Sequence, residues 1–206
     1  IINCANLNYS GTYDGWSNWC GIQLPPPNQN VSAPQSCVSF IVQEPKAIPG
    51  IRKCIPTGQQ SFSVGDVIPF RIVVSNHGAA SFSGNLADLL GTTSLQNLGL
   101  VAGSVQYSYG MGPYSPYSTT PGCINSFSII STTPPSWVSV TQQTSQNLGW
   151  SISNMPGNCE LATASYLVID FKATVLPQSF GNYINTAKLV TSTGTLNGLA
   201  YYNVLR

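Results

Sequence analysis

Two stretches of this chain alternate apolar and polar residues with a period of two. VIPFRIVVS (67–75) puts Ile68, Phe70, Ile72 and Val74 on one side of an extended backbone. SYLVIDFKATV (165–175) does the same with Leu167, Ile169, Phe171, Ala173 and Val175, and turns Asp170 and Lys172 to the other side. On a helix this spacing would scatter the apolar side chains around the axis; on a strand it gathers them on one face. FSII (127–130), SWVSV (136–140), LGWSIS (148–153), YINTAKLVT (183–191) and LAYYNVL (199–205) are further candidate strands, separated by Gly, Pro, Asn and Ser clusters. Only NLADLLGTTSLQNL (85–98) hints at a helix. Many short strands with turn signals between them predict an all-β fold, an antiparallel Ig-like β-sandwich.

The first 55 residues differ in character. They hold Cys4, Cys20, Cys37 and Cys54 and the run LPPPNQNVSAP (24–34), which favours extended, polyproline-like chain. The expected organisation is an extended, disulfide-bearing segment over 1–55 followed by a sandwich over 56–206. Cys123 and Cys159 are the natural pair of the sandwich. The other four then pair among themselves, with Cys4–Cys20 and Cys37–Cys54 one arrangement, although six cysteines leave the connectivity open. An inter-subunit disulfide, with Cys4 as a member, is the alternative.

Charged residues make up 6% of the chain, against about 25% in an average globular protein. The net charge of +1 gives no basic footprint for nucleic acid or anionic lipid. No apolar run approaches the roughly 18 residues of a membrane span, so membrane insertion of the mature chain is not expected. The chain opens without methionine and carries an even number of cysteines, which predicts an exported protein, extracellular or on the cell surface, after removal of a signal peptide. Asn8-Tyr9-Ser10 and Asn30-Val31-Ser32 are N-glycosylation sequons, so Asn8 and Asn30 are expected to carry N-glycans.

Parts for an enzyme are few. The single histidine, His77, lies in SNHGAA, which reads as a solvated turn. The acids Asp14, Glu44, Asp66, Asp88, Glu160 and Asp170 show no spacing that selects a catalytic pair or a calcium loop, and no C-x-x-C pair suggests zinc. Asp66 is expected to bond local backbone N–H groups in its turn, and Asp88 to play a similar structural role. No catalytic residue, metal or cofactor is predicted. Tyr107, Tyr109, Tyr114 and Tyr117 crowd a Gly- and Pro-rich stretch that reads as a long loop, either packed on itself or stacking on a ligand.

The order SVGDVIPFRIVVSNHGAA, LADLLG, LVAGSVQYS, LGWSISNMPGN, YLVIDFKATV and YINTAKLVTSTG resembles the extracellular β-sandwich repeat of bacterial and archaeal surface proteins. Gly65, Asp66, Asn76, Gly78, Asp88, Leu90, Trp150, Asn185 and Ala187 occupy the matching positions, over roughly residues 61–193. One such sandwich with an apolar N-terminal extension, low charge and sequons resembles the subunits of archaeal thread pili. That resemblance implies a homopolymer of identical subunits, joined head to tail, each N-terminal segment completing the next subunit's sheet. As a strand, IINCANLNYS shows Ile1, Asn3, Ala5, Leu7 and Tyr9 on one mostly apolar face and the sequon Asn8 on the other, the division a donated strand needs. A monomeric adhesin or carbohydrate-binding domain is the alternative. Surface sandwiches of this kind can also form internal Lys–Asn isopeptide bonds beside a buried carboxyl. Candidate ingredients are Lys172 or Lys188, Asn185, and Asp66 or Asp88, although strand alternation turns both lysines outward, where no nucleophile forms.

Overall fold

The computed structural model describes residues 2–3, 38–39, 45–90, 97–113, 123–124, 127–128, 130–158, 163–177 and 180–206. Two compact units divide the chain, Ile1–Pro45 and Lys46–Arg206. In the first, β1 (Ile2–Asn3) pairs antiparallel with β2 (Val38–Ser39).

The second unit is the antiparallel β-sandwich. Its strands are β3 (Pro49–Cys54), β4 (Ser61–Phe62), β5 (Val67–Asn76), β6 (Phe82–Leu89), β7 (Leu98–Leu100), β8 (Gln106–Pro113), β9 (Val138–Gln143), β10 (Asn147–Met155), β11 (Thr163–Val175), β12 (Gly181–Thr191) and β13 (Gly194–Val204). One sheet runs β4-β13-β12-β6-β10-β9; the other runs β3-β5-β11-β7, with β8 also paired to β11. Every pairing is antiparallel except β4 with β13. β3 lies before residue 55, inside the segment expected to be extended and separate. The stretch expected to hint at helix contributes to β6 and β7, and 127–130 forms no strand among its described residues.

The two alternating stretches become β5 and β11, neighbours in register from Ser165↔Asn76 to Thr174↔Val67. Their inward residues join Leu86, Leu148, Trp150, Ile152, Ala187 and Leu189 from the other sheet in one core. Trp150 Nε1 donates to Tyr107 Oη across the sheets at 2.9 Å. Tyr107 is thus a core residue of β8 rather than part of a loop, while Tyr109 on the same strand is exposed.

The outer face of β5 and β11 is covered too. Val73, Ala164 and Tyr166 pack there with Ile124 and Phe127. Cys54, Arg71 and Asp170 sit side by side across β3, β5 and β11. Arg71 donates from Nε and Nη2 to the two Asp170 oxygens at 2.7 and 2.9 Å, and from Nη1 to the Ile124 carbonyl at 2.8 Å. That last bond brings residue 123 to Cys54, and the disulfide is Cys54–Cys123. The expected Cys123–Cys159 and Cys37–Cys54 pairs are therefore corrected: cross-strand register, not separation along the chain, decides the partner.

Two glycines allow close approach. A Cβ at Gly78 would fall on the Lys46 carbonyl and within 2.6 Å of Ile48 N. Asn76 organises that turn, accepting from Ile48 N at 3.2 Å and Gly78 N at 3.1 Å and donating to Ala80 O at 2.7 Å. On β13, a Cβ at Gly198 would lie 2.7 Å from Lys53 N and 2.9 Å from Arg52 C, so β3 seats against bare backbone. Gly198→Ala is expected to force these strands apart and cost about 1–3 kcal/mol, the usual penalty of overpacking, read as a lowered denaturant midpoint.

Candidate functional site

β3 follows the same period-two rule as its neighbours. Ile51 and Lys53 face inward, while Arg52 is exposed. A lysine therefore enters the core. Its ammonium donates to Asp88 Oδ2, both side chains being fully shielded from solvent. Asp88 reaches the same point from the opposite sheet, where Phe82, Leu86 and Asp88 are the buried residues of β6. The Lys53 ammonium also lies over the Phe70 ring (4.8 Å to the centroid) and the Phe171 ring (5.2 Å), which themselves stack at 5.5 Å. Ring faces carry negative charge density, so they stabilise a cation that has lost its water.

Asn185 completes the group. Asp88 is in register with Ala187 on β12, and Asn185 lies two residues before Ala187 on the same inward face. Such a diagonal neighbour is about 7–8 Å away between backbones. Across β13, Asn185 is in register with Ala200 and Ala187 with Gly198, the residue against which Lys53 is seated. Gly198 has no side chain to keep the Lys53 backbone away from β13. Asn185 is wholly buried, and neither its Oδ1 nor its Nδ2 has a hydrogen-bond partner among the described residues. Asp88 Oδ1 has none either.

Burial dominates the electrostatics. It lowers the Lys53 ammonium from 10.5 to about 8, although the charge and hydrogen bond of Asp88 pull the other way. It raises the Asp88 carboxyl, against the opposing pull of Lys53. Both shifts favour the neutral amine and the neutral acid. Tyr202, next inward after Ala200 on β13, is raised as well, first by burial and also by the charges of Tyr183 and Asp88, while Asn97 acts in the opposite sense. The site thus holds an amine, a proton acceptor and a carboxamide in a dry space.

The other predicted residues fall elsewhere. Lys172 and Lys188 are exposed on β11 and β12, as alternation required, and neither belongs to the site. Asp66 is exposed and accepts from Ser63 N at 2.7 Å in its turn, the local role expected of it. Asp88, expected to play a similar structural role and also offered as the carboxyl beside Asn185, faces Lys53 in the core. His77 is buried rather than solvated, its Nε2 sharing a hydrogen bond with Ser75 Oγ at 2.6 Å, and burial lowers its pKa. Ile1, Cys4, Ala5, Leu7, Asn8, Tyr9, Cys20, Asn30, Cys37, Tyr114, Tyr117 and Cys159 lie outside the described residues, and Asn3 is in β1. Among the described residues no group of three His, Cys, Asp or Glu side chains could hold a metal. Lys53 is the residue that sequence reasoning passed over. Its signal was its spacing from Ile51, a lysine two residues along an apolar face.

No protein-family model and no curated protein matches the chain. Among solved structures it is similar to the pilus backbone RrgB of Streptococcus pneumoniae, at 13% identity and a TM-score of 0.48, over 69% of this chain and 31% of that one. It is similar to the major pilin subunit BcpA of Bacillus cereus, at 12% identity and a TM-score of 0.49, over 86% of this chain and 46% of that one. A third is the collagen-binding subdomain of the Enterococcus faecalis surface protein ACE, at 8% identity and a TM-score of 0.40, over 76% of this chain and 96% of that one. The chain spans less than half the length of the two pilins it resembles.

In an Asn185→Ala background, truncating Lys53 to Met strands the Asp88 carboxylate, and breaking a buried pair this way is expected to cost about 3–5 kcal/mol. Adding Asp88→Leu removes the stranded charge and recovers most of that loss; guanidinium unfolding of the single and double variants measures it. A free Lys53 amine also has a pH signature. Its folded pKa of about 8 lies below the ordinary 10.5, so between these values the unfolded chain binds more protons and stability rises with pH. The unfolding midpoint of Asn185→Ala, which keeps the amine, should rise across that window relative to Asn185→Ala/Lys53→Met.

Proposed function

We propose that this protein is a structural subunit of an extracellular filament, a pilus, assembled head to tail by strand donation. The observation that carries the reading is a side of the sandwich whose strand edges are largely unpaired among the described residues. β8 ends one sheet and β9 the other, and among the described residues the outer edge of β8 is bridged only at Tyr107, by Ser131. Tyr109, Met111 and Val140 are exposed on these two strands, beside a half-buried Trp137. Unpaired backbone flanked by apolar side chains is a template for an added strand. The chain's own N-terminal stretch has the matching pattern, with Ile1, Asn3, Ala5, Leu7 and Tyr9 as its inserting face and N-glycans at Asn8 and Asn30 left outside. A strand edge filled by the next copy is a head-to-tail contact, which builds a fibre when successive rotations do not close into a ring. The resemblance to archaeal thread pilus subunits points the same way.

Deleting residues 1–10 is expected to abolish filaments in electron micrographs while the subunit is still exported and folded. Filaments unchanged by the deletion overturn N-terminal donation. A monomeric adhesin is the second reading, favoured by the Tyr109 and Trp137 rings, which meet edge to face at 6.1 Å on the surface and could stack on a sugar. Glycan-array binding by a monomer that forms no fibres would select it.

A further inference from the structure

We propose that Lys53 and Asn185 are joined by an intramolecular isopeptide bond, formed by the protein itself with Asp88 as its acid–base group. The bond would run from β3 in one sheet to β12 in the other. Lys172 and Lys188, the lysines that sequence offered for such chemistry, lie on exposed positions and take no part.

Three observations lead to this bond. The first is that, among the described residues, the Lys53 ammonium meets Asp88 and two aromatic rings, so it is attached to the very group able to take its proton. The second is Asn185. A wholly buried carboxamide without hydrogen bonds on either end is a costly element in a core. In register it lies on the inward face of β12, one diagonal step from Asp88, which pairs with Ala187, while Ala187 pairs with the Gly198 that seats the Lys53 backbone. The third is the Asp88 carboxyl, which holds the amine with Oδ2 and keeps Oδ1 unpartnered. One oxygen is therefore available to the nucleophile and one to the amide.

The chemistry balances without an outside reagent. The ammonium passes one proton to Asp88, a transfer that the dry site favours in both partners. The Nζ lone pair attacks Asn185 Cγ, and the carbonyl π pair moves onto Oδ1, where the Asp88 carboxyl donates a hydrogen bond. A second Nζ proton is relayed through Asp88 to Nδ2. The Cγ–Nδ2 bond breaks, its electron pair leaves with ammonia, and the carbonyl reforms. One Cγ–Nζ bond is made, one ammonia is lost, nothing is oxidised or reduced, and Asp88 ends protonated. The product replaces a buried ammonium, a buried carboxylate and a free carboxamide with a neutral amide and a neutral acid. In a filament subunit, tension entering before residue 53 and leaving after residue 185 would pass through this bond rather than through the strands between.

Mass spectrometry of the purified, reduced full-length chain tests the bond. The intact mass of chain made without glycosylation is expected to fall short of the sequence mass by one ammonia. Trypsin should then fail to cut after Lys53, and a branched peptide should join 53–71 to 173–188. In Asp88→Asn and Asn185→Ala the full mass should return, with Lys53 open to trypsin; because the wild-type measurement is decisive alone, misfolding of a variant leaves the test intact. A wild-type chain of unshifted mass that yields 54–71 and 173–188 as separate linear peptides overturns the proposal. So does loss of one water with 53–71 joined to 72–172, which would mean that Lys53 had condensed with Asp88. Neither outcome depends on whether filaments form.

Discussion

A lysine in the middle of a β-sandwich must be held, because a bare ammonium in a dry core is unstable by many kcal/mol. Here it is held by an acid from the facing sheet and by two ring faces from its own. Much of the surrounding sequence is accounted for by that need. Gly198 lets β3 lie directly against β13. Phe70 and Phe171 are cross-strand partners on β5 and β11, which brings both rings under one ammonium. β3 is the strand that ties the two sheets at this end, and Lys53 is its contribution to the interior.

The opposite face of the same three strands is organised by a second charge pair of different character. Arg71 and Asp170 are partly exposed and geometrically well matched, with two near-parallel hydrogen bonds. Their role is to position a covering segment: the third Arg71 bond holds Ile124, and the Cys54–Cys123 disulfide holds its neighbour. Cys54 and Lys53 are adjacent in sequence and point to opposite faces, so one short strand is secured on both sides of its sheet. In a chain with so few charges, the described acids are all used locally: Asp66 in its turn, Asp88 in the core, Asp170 on the covered face.

Legibility of the sequence varied with the range of the interaction. The strand positions of Ile68 to Val74 and Leu167 to Val175 could be read because alternation is local, and so could the turn at Asp66. The outward direction of Lys172 and Lys188 followed from the same rule. That rule applied equally to Ile51 and Lys53, yet the proline run and the cysteines drew residues 49–54 into the preceding segment, and a strand of the sandwich was overlooked. His77 was misplaced for a different reason. Its burial comes from Ser75 and from the Tyr166 ring, neither visible from the Gly beside it.

By itself the sequence determined that the fold would be all-β, that it would close around two alternating runs, and which residues of those runs would face inward. These are consequences of side-chain direction along an extended backbone, and they need no knowledge of neighbours. Tertiary structure decided who the neighbours are. Only register across three strands brings Cys123 to Cys54, and only the stacking of two sheets sets Lys53 on Asp88 beside Asn185. Those residues are separated by most of the domain's length, and nothing local to any one of them names the others.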